Sequence, residues 1–395
     1  MSKLQELIQK LCPNRVEYRK LGDVCKIKRG KRLTTRDLSS NGKFPVFHGG
    51  IDPIGYYKDY NRPANSTMLI NVGASAGTVS FCDRNFWASD GCFCFSHNET
   101  VTQKYLYYVL QSNEYQIKSK VRKAGIPTLD NKEIERFPIP VPPLPVQDEI
   151  VKILDRFAEY AAELQAELQA RQEQYEYYRN KLLSFNQIGG GTEQVRWMKM
   201  SEIGTFIRGN GLQKKDFTES GVPCIHYGQI YTHYGTFATE TKSFVSQDTA
   251  RKCKKAHSGD LIIASTSENV EDAGKMVAWL GEEDVAVSNH TFIFSHNQNP
   301  KYLAYLFQTS YFLNYKMSKV IGVKVIDIPQ KALENFLIPV PSLDEQERIV
   351  SILDRFETLV NDLTQGLPAE IAAVQEQYEY YRNKLLSFEE YKMSA

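Results

Sequence analysis

The chain has 395 residues, 42% of them hydrophobic, with 48 Lys and Arg against 47 Asp and Glu. That length suits two or three domains, each able to bury its own core, and no apolar run reaches the ~18–20 residues of a membrane span. Seven cysteines in irregular spacing argue against a disulfide framework and for a reducing cytoplasm.

Near-neutrality is an average over unequal parts. Residues 12–60 hold eleven Lys/Arg against five Asp/Glu, and 196–260 hold ten against six. Residues 147–185 run the other way, five against eight. Two basic lobes on an acidic scaffold are the kind of pattern a mean charge conceals.

The first ten or so residues, within a segment 1–14, predict a short amphipathic helix that caps a helical bundle. From 15 to 145 the chain is rich in Gly, Tyr, Phe, Thr and Asn. Its β-like runs are Thr67–Val72 and Thr78–Cys82, and a short helix is expected at Lys104–Ser112. Lys26, Lys28, Arg29, Lys31, Arg32 and Arg36 cluster around Gly30, as a solvated loop or a DNA contact would. In a strand, Cys92 and Cys94 share one face and Phe93 and Phe95 the other. The cysteines lack a second ligand pair at zinc spacing, so core packing is their expected role.

Phe137–Pro145 must be extended, and a helix is predicted from about Gln147 to Phe185, within a spacer of 146–188. Ile150, Leu154, Phe157, Ala161, Leu164, Leu168, Tyr175, Tyr178, Leu182 and Phe185 alternate steps of four and three once Arg171 fills one gap. That is a coiled-coil pattern, roughly 58 Å long at 1.5 Å per residue. Asn186–Thr192 reads as a flexible joint.

The pattern then repeats. A second domain is expected over 189–343, with strands at Leu261–Ser265 and Met276–Leu280 and a helix at Lys301–Thr309. A second spacer comes next over 344–388, then a tail over 389–395. Ser342 and Glu345 offer a capping box. The heptads of the second spacer stutter at Leu363–Leu367–Ile371, and Gly366 and Pro368 predict a kink or brief break there. Residues 173–185, EQYEYYRNKLLSF, recur unchanged at 376–388. LDRF recurs at 154 and 353, and Ile139-Pro-Val-Pro at 338. Phe93–Asn98 resembles Phe292–Asn297, Gly30 aligns with Gly209, and His48 with His226. The fold class expected is α+β: two duplicated globular domains joined by two long antiparallel coiled-coil helices with pseudo-twofold symmetry.

Paired variable domains, each closed by Pro-Ile-Pro-Val or Ile-Pro-Val-Pro and a helix ending in QYEYYRNKLLSF, resemble the specificity subunit of type I restriction–modification enzymes. The AELQ tetrapeptide repeat at 162–169 and the outlines at Pro45–Gly49, Ile54–Tyr57, Gly73–Gly77 and Trp87–Asp90 add to the resemblance. It implies a non-catalytic DNA reader with no cofactor of its own. Each domain would recognise half of a split double-stranded target, while the helices set the gap and dock two adenine methyltransferase subunits. S-adenosylmethionine would sit on those partners, and a restriction and translocase subunit would join for cleavage. In the second domain, Gly209–Gly211 and Ser265–Glu268 depart from the first, which implies a different target half.

Within this reading the DNA-binding candidates are Lys28, Arg29, Lys31, Arg32, Arg36 and Tyr57 in the first domain. In the second they are Arg208, Asn210, Gln213, Lys214, Lys215, Lys252, Lys254 and Lys255. Arg and Lys suit guanine or phosphate, and Asn and Gln suit adenine. Tyr56, Tyr227 and Tyr231 can line the same surfaces. Tyr175, Tyr178, Tyr378 and Tyr381 belong to the bundle, whereas Tyr177, Tyr380, Arg179 and Arg382 are expected to face a partner. The rival readings are a coiled-coil assembly protein and a DNA nuclease. Catalytic signatures are poor: Gly73–Gly77 lacks the phosphate-binding lysine, no Asn-Pro-Pro-aromatic motif is present, and Glu240-Thr-Lys242 with Asp216 only faintly resembles nuclease carboxylates.

Overall fold

The computed structural model describes residues 3–96, 99–185, 195–362 and 365–388. The expected joint Asn186–Thr192, and His97 and Asn98 of the repeated strand, lie outside the described residues. Helices of seven residues or more among the described residues are α1 (Lys3–Leu11), α2 (Gln103–Ser112), α3 (Leu144–Leu182), α4 (Pro300–Leu306), α5 (Ser310–Met317), α6 (Leu343–Asn361) and α7 (Leu367–Leu386). The chain divides into unit 1, residues 1–165 with 370–395, and unit 2, residues 166–369. Among the described residues no helix is long and apolar enough to cross a membrane.

In unit 1 a four-stranded antiparallel sheet runs in the order Ile27–Arg29, Cys92–Phe95, Ser66–Ile70, Val79–Cys82. A second sheet places Phe44–Phe47 between Gly55–Tyr57, antiparallel, and Trp87–Ala88, parallel. Alternation along the strand gives each face its own core. Phe93 and Phe95 join Leu69 and the α2 residues Tyr105, Leu106 and Val109. Cys92 and Cys94 instead join Met68, Ile70 and Phe86, so these thiols do pack in a core. Burial pushes their pKa up, to about 12 for Cys92 and about 11 for Cys94. α1 contributes Leu4 and α7 contributes Leu386 to the same core as Val146, Ile150 and Leu154 of α3. Phe157 stacks on Tyr381 at 5.5 Å and Tyr160 donates to Glu370 at 2.6 Å. Partner numbers fall as α3 numbers rise, so the α3 and α7 segments of this unit are antiparallel.

Unit 2 repeats the plan. Gly204–Arg208, Thr291–His296, Leu261–Ala264 and Met276–Trp279 reproduce the four-stranded order, with Phe237–Ala238 added in parallel at the edge. Val222–Ile225 again pairs in parallel, here with Val285–Val287. Tyr175 is buried with Ile349, Leu353 and Val360 of α6, and Tyr175 and Tyr178 stack on Phe356. Tyr305 donates to Asp354 at 2.6 Å, as Tyr108 donates to Asp155 at 2.5 Å in unit 1. Each LDRF aspartate therefore ties its spacer helix to its own globular domain.

Two details differ from these expectations. α3 begins at Leu144 rather than Gln147, because Pro145 falls in the first turn, where no amide donor is needed, and the carbonyl of Pro143 accepts from Val146 and Gln147. The second spacer, as expected from Gly366 and Pro368, is two helices, Leu343–Asn361 and Leu367–Leu386. Arg179 and Arg382 do not face outward: each lies over the tyrosine one turn earlier, at 4.9 Å from Tyr175 and 5.3 Å from Tyr378. Tyr177 and Tyr380 are exposed.

His296 sits in unit 2 with Nε2 buried and no hydrogen-bond partner, and burial lowers its pKa to about 4. The folded form thus resists a proton that the unfolded chain takes up near pH 6.5. Up to about 3 kcal/mol of stability is expected to be present above pH 6.5 and lost as the pH falls toward 4. Denaturant unfolding at pH 7 and pH 5 measures it. His296→Asn, which keeps an acceptor for the Gln298 amide, is expected to flatten the dependence.

Candidate nucleic-acid interface

In each unit one serine gathers the loops at one end of the two sheets. In unit 1 the Ser89 amide donates to Phe47 O at 2.9 Å, and its hydroxyl accepts from the Leu33 amide at 3.2 Å. In unit 2 the Ser288 amide donates to Ile225 O at 3.1 Å, and its hydroxyl accepts from the Tyr227 amide at 2.8 Å. The neighbouring strands close on the same frame: Asn71 donates to Gly91 O, and Ser265 to His290 O. Gly30 and Gly209 cross this frame too closely for any side chain. A Cβ on Gly30 would lie 2.1 Å from Ser89 O, and one on Gly209 2.3 Å from Ser288 O. Both glycines lead into a 3-10 turn closed by an aspartate, Asp37 accepting from Thr34 N and Asp216 from Gln213 N, each at 2.8 Å.

The basic candidates ride on this frame. Lys28 and Arg29 end a strand, Lys31 and Arg32 follow Gly30, and Arg36 lies in the turn; all are exposed. Arg29 also donates from Nε to Asp90 O at 2.6 Å. Tyr57 is half-buried and packs edge-on against Trp87 at 5.2 Å, and Trp87 donates to Lys31 O. Tyr57 thus supports the loop from beneath. Arg29, Asn71, Thr128, Asp130 and Asn131 line a cleft of about 450 Å³, and Asn71 Oδ1 is buried without a partner.

In unit 2 the structure brings two distant stretches together. Asn210 Oδ1 accepts from the Lys254 amide at 2.9 Å, and Gly211 (φ +79) passes against the Lys252 carbonyl. Arg208, Lys214, Lys215, Lys252, Lys254 and Lys255 are all exposed around this junction, as is Gln213. Asn210 spends its carbonyl on the loop, which leaves a poorer match to adenine than a free amide would offer. Among the described residues none of these cations, in either unit, is held in a side-chain ion pair.

Other residues on the frame carry no sequence signal of their own. Thr266 Oγ1 lies 3.1 Å from His290 Nδ1 and donates to Asp327 Oδ1 at 2.9 Å, and Tyr227 stands edge-on to His290 at 5.4 Å. His48 and His226 hold equivalent backbone positions but differ in role. His48 pairs with Asp90 at 3.3 Å. His226 has its pKa lowered by burial, then by Lys214 and His290, and caps a helix through Gly228 N. Aligning Ser89-Asp-Gly with Ser288-Asn-His between the copies is the signal that would have exposed the frame.

A frame present twice, carrying exposed cations free of side-chain ion pairs among the described residues and a different set of polar side chains in each copy, suits a polyanionic ligand that is read in two parts. Comparison with known proteins gives the family. The model of the type I restriction modification DNA specificity domain matches residues 13–174 and again 193–373, so the chain belongs to that family and carries two copies of its domain. It is 31% identical to the Escherichia coli type I restriction enzyme EcoR124I/EcoR124II specificity subunit, over 98% of each chain. It is 28% identical to a putative type I restriction enzyme specificity subunit of Haemophilus influenzae, over 94% of this chain and 96% of that one. The fold is shared with a solved S subunit from M. genitalium, at TM-score 0.58, 17% identity and coverage of 96% and 97%. It is shared also with a chain from a structure concerned with complex assembly and conformational transition of the type I R-M system, at TM-score 0.60, 19% identity and coverage of 94% and 97%.

Proposed function

We propose that each unit reads one half of a bipartite double-stranded target through its serine-centred loop frame. The observation that carries this reading is one main-chain frame, present twice, with different side chains mounted on it. Spacer helices α3, α6 and α7 set the gap between half-sites, and their exposed repeat surfaces, Tyr177 and Tyr380 among them, dock two adenine methyltransferase subunits. S-adenosylmethionine binds to those subunits, restriction and translocase subunits join the same assembly, and a cytoplasmic location is implied by the substrate. The first-domain contacts are Lys28, Arg29, Lys31, Arg32 and Arg36, and the second-domain contacts are Arg208, Gln213, Lys214, Lys215, Lys252, Lys254 and Lys255.

Salt titration of DNA binding tests this. Log affinity is expected to fall linearly with log salt, with a slope of about −0.9 per phosphate contacted. Replacing Lys214, Lys215, Lys252, Lys254 and Lys255 by Gln is expected to flatten that slope by about 0.9 for each contact removed. A salt-insensitive wild type would favour the rival reading as a protein-assembly factor.

A further inference from the structure

Each unit carries a short hairpin beside its loop frame that none of the cations above explains. In unit 1, Arg122 and Thr128 exchange two backbone hydrogen bonds, at 2.9 and 3.1 Å, and enclose residues 123–127. In unit 2, Ile321 and Asp327 do the same at 2.9 Å each and enclose residues 322–326. Both loops turn at a glycine with positive φ, Gly125 at +77 and Gly322 at +108. Both hairpins are rooted in the frame: Gly73 donates to Pro127 O, Leu129 to Asn71 O and Ile328 to Ser265 O.

The tips are apolar and open to solvent. Ile126 is 69% exposed, Val323 94%, and Ile321 and Val325 57% and 58%. Residues 323–325 form the bend of the second loop, so Val323 and Val325 both lie at its tip. Single exposed apolar residues are ordinary, but the same tip at the same place in both copies is not explained that way. The approach to each tip is mainly basic: Asp327, which closes the second hairpin, accepts from Thr266 at 2.9 Å, and Lys118 is paired with Glu114 at 2.5 Å. Between Tyr115 and Leu129 stand Lys118, Lys120, Arg122 and Lys123 and no acid, and between Ser310 and Ile326 stand Lys316, Lys319 and Lys324 and no acid. Lys316 is buried and donates to Glu271 O, so Lys319 and Lys324 supply the surface charge in unit 2.

We propose that these hairpins wedge their apolar tips between adjacent base pairs of the half-site, Ile126 in one and Val323 with Val325 in the other. The basic stems hold the flanking phosphates. A phosphate backbone complements the stems and unstacked base faces complement the tips, and partial unstacking by an apolar wedge is an established way to bend DNA. The inference rests on the DNA-reading function proposed above.

The test uses the full chain with its co-purifying methyltransferase subunits. The probe is a duplex bearing the target read from the host methylation map, with 2-aminopurine at successive adenines other than the methylated ones, which the methyltransferase subunits would themselves unstack. Wild type is expected to raise 2-aminopurine fluorescence severalfold at one step in each half-site. Val323→Ser with Val325→Ser is expected to abolish the signal in one half-site only, and Ile126→Ser in the other only. Each is expected to weaken binding about tenfold with an unchanged salt slope, since no cation is lost. Lys319→Gln with Lys324→Gln is expected to flatten the slope and keep the fluorescence. These sites are exposed, so unchanged melting curves check that the fold is intact. Salt-dependent binding with no fluorescence change in wild type, or serine variants that keep both signal and affinity, would overturn the wedge and leave the reading function standing. A wild type that binds no DNA in a salt-dependent way would overturn both.

Discussion

Duplicating Ala166–Gln169 within α3 is expected to give a methylated sequence with the same two half-sites and a gap about two base pairs longer. Four residues add ~6 Å of helix against ~3.4 Å per base pair. They also turn it by about 400°, so the helix beyond the insertion is rotated only about 40° from its former face. The insertion site suits the experiment, because Ala166-Glu-Leu-Gln already repeats Ala162-Glu-Leu-Gln and α3 is unbroken across both. Whole-genome methylation sequencing of a strain carrying the variant reads the outcome directly. An altered half-site would mean that α3 takes part in reading bases; an unchanged gap would mean that spacing is set elsewhere.

Gly209→Val is expected to abolish recognition of one half-site and Gly30→Val that of the other, each with at least a hundredfold loss of target affinity. The cause is steric, since the added Cβ meets backbone carbonyl oxygen at 2.3 Å or 2.1 Å and a carbonyl in the frame cannot rotate away as a flexible side chain would. Relief requires moving the strand end that carries Arg208 or Lys28 and Arg29, together with the turn beyond. Overpacking of this kind costs about 1–3 kcal/mol, which lowers the melting point without unfolding the chain. Calorimetry and target-binding titrations on the two variants separate the effects. Wild-type affinity with either valine in place would show that the loops bind without the frame.

The spacer was legible because its signals are local and repeated. A step of four and three from Ile150 to Phe185, punctuated by Pro145 at one end and, in the second spacer, by Gly366 with Pro368 at the break, needs no tertiary knowledge. The alternating Cys92–Phe95 strand was equally plain, since period two has only one structural meaning. The frame was not legible. It is built from main-chain donors and acceptors on Phe47, Ser89 and Gly91, and from their counterparts Ile225, Ser288 and His290, which identity alone does not mark. Arg179 and Arg382 misled for a related reason: a long cationic side chain can lie flat on a ring one turn away, and heptad position does not show this. The basic loops were found by charge, but their meeting with Lys252–Lys255 in unit 2 depends on strand pairings distant in sequence.

Because the Ser89 and Ser288 frames are held mainly by peptide groups, most side chains above them are relieved of any duty to the fold. Mutational drift or exchange can then rewrite the recognised bases while the supporting hydrogen bonds carry over intact. A new specificity in this lineage need not pass through an unfolded ancestor.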